Sequence, residues 1–378
     1  MDLTFSEEQE MVRKSSRQFL EKECPPSEVR KIEASPKGHS PQLWKKMSEL
    51  GWLGFTYPEK YGGSAGSIAN QAVIVEELGR AAAPTPYLST VVLCGEAILA
   101  AGNEAQKTKF LPKIANGDLI MALALTEPQV GWDAGSVKMS AKKTDTGFVL
   151  SGSKLFVHAG AVADWLLCVA RTAAARGNSE NGLTVFLVDA RTPGVTITPL
   201  DTIANDKQCE IIFKDVKVSS DSVLGAVNKG WQSLKPVLER AAALQSAEIV
   251  GNIQKSLELA VDYSKVRVQF GRPIGTFQAI QHYCADMLTD VERSRYATYK
   301  ACWKLVEGMP ASIDISVAKA VSSDACQRVT WLSHQIFASI SYFQDHDMQI
   351  YFRRAKVQEL NLGDARYHRE LVAQGMNF

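Results

Sequence analysis

The sequence predicts an α+β fold in three parts: a helical unit, a small all-β domain and a helical bundle. Two changes of hydrophobic period carry that prediction. Apolar residues recur at helical spacing over residues 1–120, fall into short β-rich runs over 121–225, and return to helical spacing over 226–378. The third observation is scale: 378 residues, 46% hydrophobic and 22% charged, are an ordinary globular composition at a length that suits two or three domains with extensive cores. No internal repeat interrupts the order.

The first part begins at Ser6, which with Gln9 fits a capping box. Helical spacing then runs through "EEQEMVRKSSRQFLEKE", "PQLWKKMSELGWLGF", "SIANQAVIVEELGRAAA" and "TVVLCGEAILAAG", broken by the turn "PEKYGGSAGS". The β runs are "GFVLSGSKLFV", "DWLLCVART", "LTVFLVDA", "GVTITPL" and "CEIIFKDVKV", with "RTAAARGNSENG" read as a polar hairpin loop. After "VLGAVNKGW", long helical segments over 231–264, 277–307 and 313–340 have apolar faces wide enough for a bundle.

Several functions are excluded by composition and motif. The net charge of +1, with acids and bases interspersed, gives no footprint for nucleic acid or for an anionic membrane surface. Seven scattered cysteines without a CxxC pair fit neither a disulfide framework nor a metal site, and read as small buried apolar residues in a reducing compartment. The six histidines lack HExxH spacing, so no metal is expected, and GxSxG, GxxxxGK[ST] and strand-borne GxGxxG motifs are missing. The N-terminal "MDLTFSEEQEMV" has no apolar or Arg-rich targeting character, and no apolar run reaches the length of about 18 residues needed for a span. The expectation is a cytoplasmic protein with no membrane span.

Four local signatures remain, in order: "ALTEP" with Gly131 and Asp133, "SGSKLFVHAGAVADWLLCVAR", "RVQFGRPIGTFQAIQHYCADM" and "YFRRAKVQELNLGD". Together with the helical, β, helical division they resemble the acyl-CoA dehydrogenase family from "FSEEQ" onward, over essentially the whole chain. The resemblance implies an N-terminal helical domain, a central β-barrel-like domain and a C-terminal four-helix bundle through which subunits form dimers or tetramers. It implies FAD as cofactor, an acyl-CoA thioester as substrate and an electron-transfer flavoprotein as electron acceptor. By position, Leu125, Thr126, Trp132, Phe156 and His158 would contact the isoalloxazine, Arg267, Gln269 and Phe270 would grip the adenine diphosphate half across the dimer, and Gln335 would belong to the same cofactor set. A planar Arg fork suits pyrophosphate oxygens; without the flanking "GRPIGTFQ", a surface Arg beside a core Phe would be the plainer reading of "RVQF".

The family's reaction needs a base for the α-proton and donors for the thioester oxygen, the latter a ribityl hydroxyl and a backbone N–H at the base loop. That loop here reads "NLGD": Leu362 precedes Gly363 where the family's usual glutamate would stand. Some relatives carry the carboxylate on the first long bundle helix, directly before an Arg. Glu239, immediately before Arg240 in "LKPVLERAAALQ", matches that pattern, and the resemblance implies Arg240, Leu362 and Gly363 as substrate contacts. The competing reading of Glu239 is an i,i+4 pair with Lys235 on an exposed helix face.

Other departures restrict the analogy. Ala338 and Ser339 in "HQIFASISYF" replace the Gly-Gly pair that follows Gln335 in the family, Trp132 replaces a small hydroxyl residue, and Asp364 stands where a hydroxyl often meets phosphate. His158 could bond the flavin or only cap a strand. The alternative function is therefore a non-catalytic or half-site subunit of a heteromeric acyl-CoA dehydrogenase that binds acyl-CoA or supports a catalytic partner chain.

Overall fold

The computed structural model describes residues 4–129, 131–175 and 179–378. The helices are α1 (Glu7–Glu23), α2 (Pro26–Ala34), α3 (Pro41–Glu49), α4 (Ile68–Arg80), α5 (Glu96–Ala101), α6 (Glu104–Ala115), α7 (Gly230–Val266), α8 (Gln278–Val306), α9 (Ser312–Phe337), α10 (Met348–Leu360) and α11 (Ala365–Gly375), with a π-helical stretch at Leu88–Gly95. The strands are β1 (Met121–Ala124), β2 (Ser140–Lys143), β3 (Gly147–Val157), β4 (Trp165–Arg171), β5 (Leu183–Asp189), β6 (Val195–Pro199), β7 (Cys209–Ser219), β8 (Val223–Leu224), β9 (Val268–Gln269) and β10 (Arg272–Pro273). Two compact units result, Met1–Lys31 with Ser67–Ala83 and Ala242–Phe378, and Ile32–Gly66 with Pro84–Ala241.

The first unit is helical. α1 starts as its sequence requires: Ser6 Oγ accepts the Gln9 amide at 3.2 Å and Gln9 Oε1 accepts the Ser6 amide at 3.0 Å. α4 passes so close to α7 that only glycine fits at two points. A Cβ on Gly79 would lie 2.0 Å from the Glu248 carbonyl oxygen, and one on Gly251 would lie 1.8 Å from that of Glu76. Bidentate pairs fasten α4 to both neighbours: Arg17 of α1 donates to Glu77 at 3.0 and 2.6 Å, and Arg80 donates to Glu258 of α7 at 2.7 and 2.6 Å. Burial raises the pKa of the Glu76 carboxyl, against the opposing pull of Arg295 and of the Tyr299 hydroxyl, which donates to it at 2.8 Å.

The second unit is built on a sheet of order β6-β7-β3-β2-β4-β5-β8, with β1 added parallel to β4. β7 alternates, burying Cys209, Ile211 and Phe213, whereas Leu166–Ala170 of β4 and Leu183–Val188 of β5 are buried on both faces. Phe148 and Phe186 meet edge to face in the core at 5.1 Å between centroids. β4 and β5 pair antiparallel, so the polar stretch between them is the connection of a hairpin; its residues 176–178 lie outside the described ones. No helix among the described residues is long and apolar enough to cross a membrane.

Candidate functional site

The turn after β1 is fixed from below. Lys154, fully buried on β3, donates from Nζ to the Leu125 carbonyl at 3.0 Å and to Glu127 Oε1 at 2.8 Å. The Glu127 carboxylate also accepts the Lys138 amide at 2.8 Å and the Met139 amide at 2.9 Å, so a buried charge pair has its remaining oxygens satisfied. The Leu155 amide closes the arrangement by donating to the Thr126 carbonyl at 2.9 Å. Leu125 and Thr126 are thereby held half-buried with their backbone already committed.

Phe156 follows on the same strand. The register of β3 against β7 shifts between Lys154 and Val157, and Phe156 takes φ +54° there, leaving its side chain 45% exposed. A bulge of this kind re-aims one side chain out of the pleat. His158, two residues on, is half-buried; its Nδ1 lies 3.6 Å from Asp206 Oδ2, and its carbonyl accepts the Ser89 hydroxyl at 3.1 Å. Trp132 is half-buried beside Asp133, whose Oδ1 caps the next turn by accepting the Ser136 amide at 2.9 Å.

Glu239 and Arg240 occupy α7 in this second unit, both half-buried. Lys235, the i−4 neighbour, has Nζ 3.5 Å from Glu180 Oε1. The Arg240 side chain turns toward Glu96: its Nε stops 3.9 Å from Oε2, beyond hydrogen-bond reach, and is buried without a hydrogen-bond partner among the described residues. Glu96 itself is 9% exposed and accepts the Thr56 hydroxyl on Oε1 at 2.6 Å. This buried carboxylate directly follows the π-helical stretch, a rare form that is frequent at functional sites. Sequence reading passed over Glu96, since its partners Thr56 and Arg240 are far away along the chain.

The remaining candidates lie in the first unit. Arg267, Gln269 and Phe270 sit on the β9–β10 hairpin, all exposed, with Phe270 and Gly271 at φ +55° and +78° forming the tip. Phe270 is 92% exposed, which sets aside the reading of a core phenylalanine. Gln335 is exposed near the end of α9. Ala338 ends that helix at φ +55°, ψ −144°, a conformation that glycine adopts freely and alanine only under strain.

Leu362, half-buried, stands at φ +60° and Gly363 at φ +102°; a Cβ on Gly363 would meet Tyr367 Cδ1 at 2.4 Å. Asp364 is the N-cap of α11, its Oδ1 accepting the Tyr367 amide at 2.8 Å, which gives that acid a structural partner. Asn361 donates from Nδ2 to Gln245 Oε1 at 2.6 Å, on the helix that also carries Glu239. The loop thus presents an apolar side chain where a carboxylate was sought.

Family models match nearly the whole chain: the acyl-CoA dehydrogenase N-terminal domain over residues 6–118, its middle domain over 122–216 and its C-terminal domain over 228–377. A short-chain specific acyl-CoA dehydrogenase of Megasphaera elsdenii is 35% identical over 96% of this chain and 96% of its own length. Among solved structures, a chain in that of the electron transferring flavoprotein of Acidaminococcus fermentans superposes with TM-score 0.93 at 32% identity, covering 100% of this chain and 99% of that one. A chain of the ChsE4-ChsE5 complex from Mycobacterium tuberculosis superposes with TM-score 0.91 at 27% identity, covering 100% and 99%.

Proposed function

This chain belongs to the acyl-CoA dehydrogenase family, and we propose that it oxidises the Cα–Cβ bond of an acyl-CoA thioester with Glu239 as the base, giving a 2-enoyl-CoA. It is a flavoprotein oxidoreductase of the CH–CH class that uses FAD. The observation that carries the choice of base is the pairing of Leu362, which brings no carboxylate to the loop, with Glu239, a half-buried carboxylate directly before Arg240.

The residues fit the cofactor. Leu125 and Thr126 form a turn with its carbonyls already bonded from below, and Phe156 offers an exposed aromatic face for a flat ring system. Trp132 and His158 complete the isoalloxazine set, while exposed Arg267, Gln269, Phe270 and Gln335 would hold the adenine diphosphate half. Bound FAD supplies the acceptor for the β-hydride.

Glu239 takes the α-proton, so one C–H bond loses its proton to the carboxylate, the other loses a hydride, and the thioester gains one C=C bond. Arg240 holds its guanidinium beside Glu239 in sequence and toward Glu96 in space, where it would orient the acyl group. Leu362 contributes its backbone N–H to the thioester oxygen, and Gly363 the left-handed turn beside it, rather than chemistry from side chains. The exposed apolar residues leading to the hairpin tip, Val266, Val268 and Phe270 at 75, 52 and 92% exposure, support assembly into dimers or tetramers. Seven free cysteines are in keeping with a cytoplasmic enzyme, and an electron-transfer flavoprotein is the partner that would take its electrons. The working division is 1–120, 121–225 and 226–378.

One observation favours a second reading. Ala338 carries a Cβ in a glycine-type conformation at the point where the family places its Gly-Gly pair, which supports a half-site subunit within a heteromeric enzyme. Anaerobic titration of the purified protein with a panel of acyl-CoAs, wild type beside Glu239→Gln, tests both readings. Bleaching of the flavin band in the wild type alone supports Glu239 as base; equal bleaching in both sinks it. A protein that takes up no FAD unless a partner chain is co-expressed favours the heteromer.

A further inference from the structure

Two buried side chains grip the loop after α10, and the reaction set out above gives neither of them a task. Lys319 on α9 has no solvent exposure. Its Nζ donates to the carbonyls of Glu359 at 2.9 Å and Gly363 at 2.8 Å and to Ser323 Oγ at 3.0 Å, which uses all three ammonium protons. His368 on α11 is 4% exposed, and its Nε2 lies 3.0 Å from the Leu362 carbonyl. A carbonyl only accepts, so Nε2 carries the proton, while Nδ1 is buried with no hydrogen-bond partner among the described residues.

The consequence for the backbone follows bond by bond. The carbonyls of Glu359, Leu362 and Gly363 are drawn inward to Lys319 and His368. The Asn361 amide donates to the Val357 carbonyl at 2.9 Å and the Gly363 amide to that of Leu360 at 3.3 Å. The Leu362 amide, in a residue held at φ +60°, donates to no acceptor among the described residues. Its orientation is set by neighbours whose own bonds are complete, which is what a preorganised donor requires.

We propose that Lys319 and His368 are positioning residues that hold the Leu362 N–H as a preset donor to a thioester carbonyl oxygen. On this account the loop keeps its part in stabilising enolate charge although it brings no carboxylate. The proposal rests on the acyl-CoA reading, and its chemistry is distinct from that of Glu239: it concerns polarisation of the carbonyl, not removal of the proton.

The test uses a chromophoric probe, a 3-arylacryloyl-CoA, whose near-ultraviolet band moves to longer wavelength when its thioester carbonyl is polarised. Titration of the full-length wild-type protein is expected to give saturable binding with a red shift. Lys319→Met should bind the probe with the shift lost. His368→Phe should lose it likewise, whereas His368→Gln should retain it, because an amide N–H can still donate to the Leu362 carbonyl. Should Lys319→Met fail to fold, the two His368 variants decide alone.

Full shifts in Lys319→Met and His368→Phe overturn the proposal and leave both residues as packing. Wild-type binding without any shift overturns it while leaving the acyl-CoA reading in place. A wild type that binds no acyl-CoA at all overturns the reading and the proposal together.

Discussion

Lys154 and Glu127 form a buried ion pair, Nζ to Oε1 at 2.8 Å, whose two members also hold the Leu125 carbonyl and the amides of Lys138 and Met139. Removing one partner would strand the other charge out of water, at a cost of about 3–5 kcal/mol. Lys154→Met is therefore expected to lower the unfolding free energy by that order, read from urea denaturation, and to weaken FAD retention, because the Leu125–Thr126 turn loses its support. Denaturation curves and flavin content after gel filtration check both effects.

Glu239→Gln removes a base while keeping shape and hydrogen-bonding capacity. The expected result is a loss of about 10²–10⁴-fold in the rate of flavin reduction by acyl-CoA with binding little changed. Exchange of the substrate α-proton in deuterated buffer should fall in parallel, and single-turnover kinetics separate this from a binding defect.

Ala338→Gly should stabilise the protein by about 1 kcal/mol by relieving the strain of a Cβ at φ +55°, ψ −144°. The same variant is expected to raise the FAD-to-protein ratio of the purified chain, measured from its visible spectrum. A stabilised variant with unchanged flavin content would assign Ala338 to backbone strain alone.

Stability should depend on pH through His368 and Lys319. Burial, aided by the nearby Lys319, draws His368 down from 6.5 to about 4. Between those values the unfolded chain binds a proton that the folded one refuses, so stability falls as pH drops from 6.5 toward 4. Burial likewise draws Lys319 down from 10.5 to about 8, so stability rises as pH climbs from 8 toward 10.5. Urea midpoints across this range should show both limbs, with His368→Gln flattening the acid one and Lys319→Met the alkaline one.

The features legible in sequence are those that depend on neighbours along the chain. The Ser6–Gln9 box, the long helices α7, α8 and α9, and β3, β4, β5, β6 and β7 all follow from local period and capping. The short strands β1 and β2 gave too few alternations to register, and the parallel pairing of β1 with β4 joins residues more than 40 positions apart.

Lys319 was missed for a different reason. It lies on the stripe of Ile315, Ser322 and Cys326, the buried face of α9, where a lysine reads as an interruption until the carbonyls of Glu359 and Gly363 are seen to meet it. Leu362 and Glu239 could be singled out by resemblance, but the left-handed backbone of one and the half-buried setting of the other are visible only in three dimensions.

The π-helical stretch at Leu88–Gly95 makes the placement of Glu96 a matter of chain length. Widening the helix from i+4 to i+5 bonding takes up extra residue per turn, whereas each residue of regular helix turns the chain by about 100°. Were the segment to relax to α-helix at unchanged length, Glu96 would swing away from Thr56 and their 2.6 Å bond would be undone without altering either side chain; an α-helix would need one residue fewer between Leu88 and Gly95 to hold Glu96 near the same bearing. Alanine scanning is blind to a determinant of this kind. A deletion series would expose it, and among relatives it would surface as a gap in an alignment rather than as a changed letter.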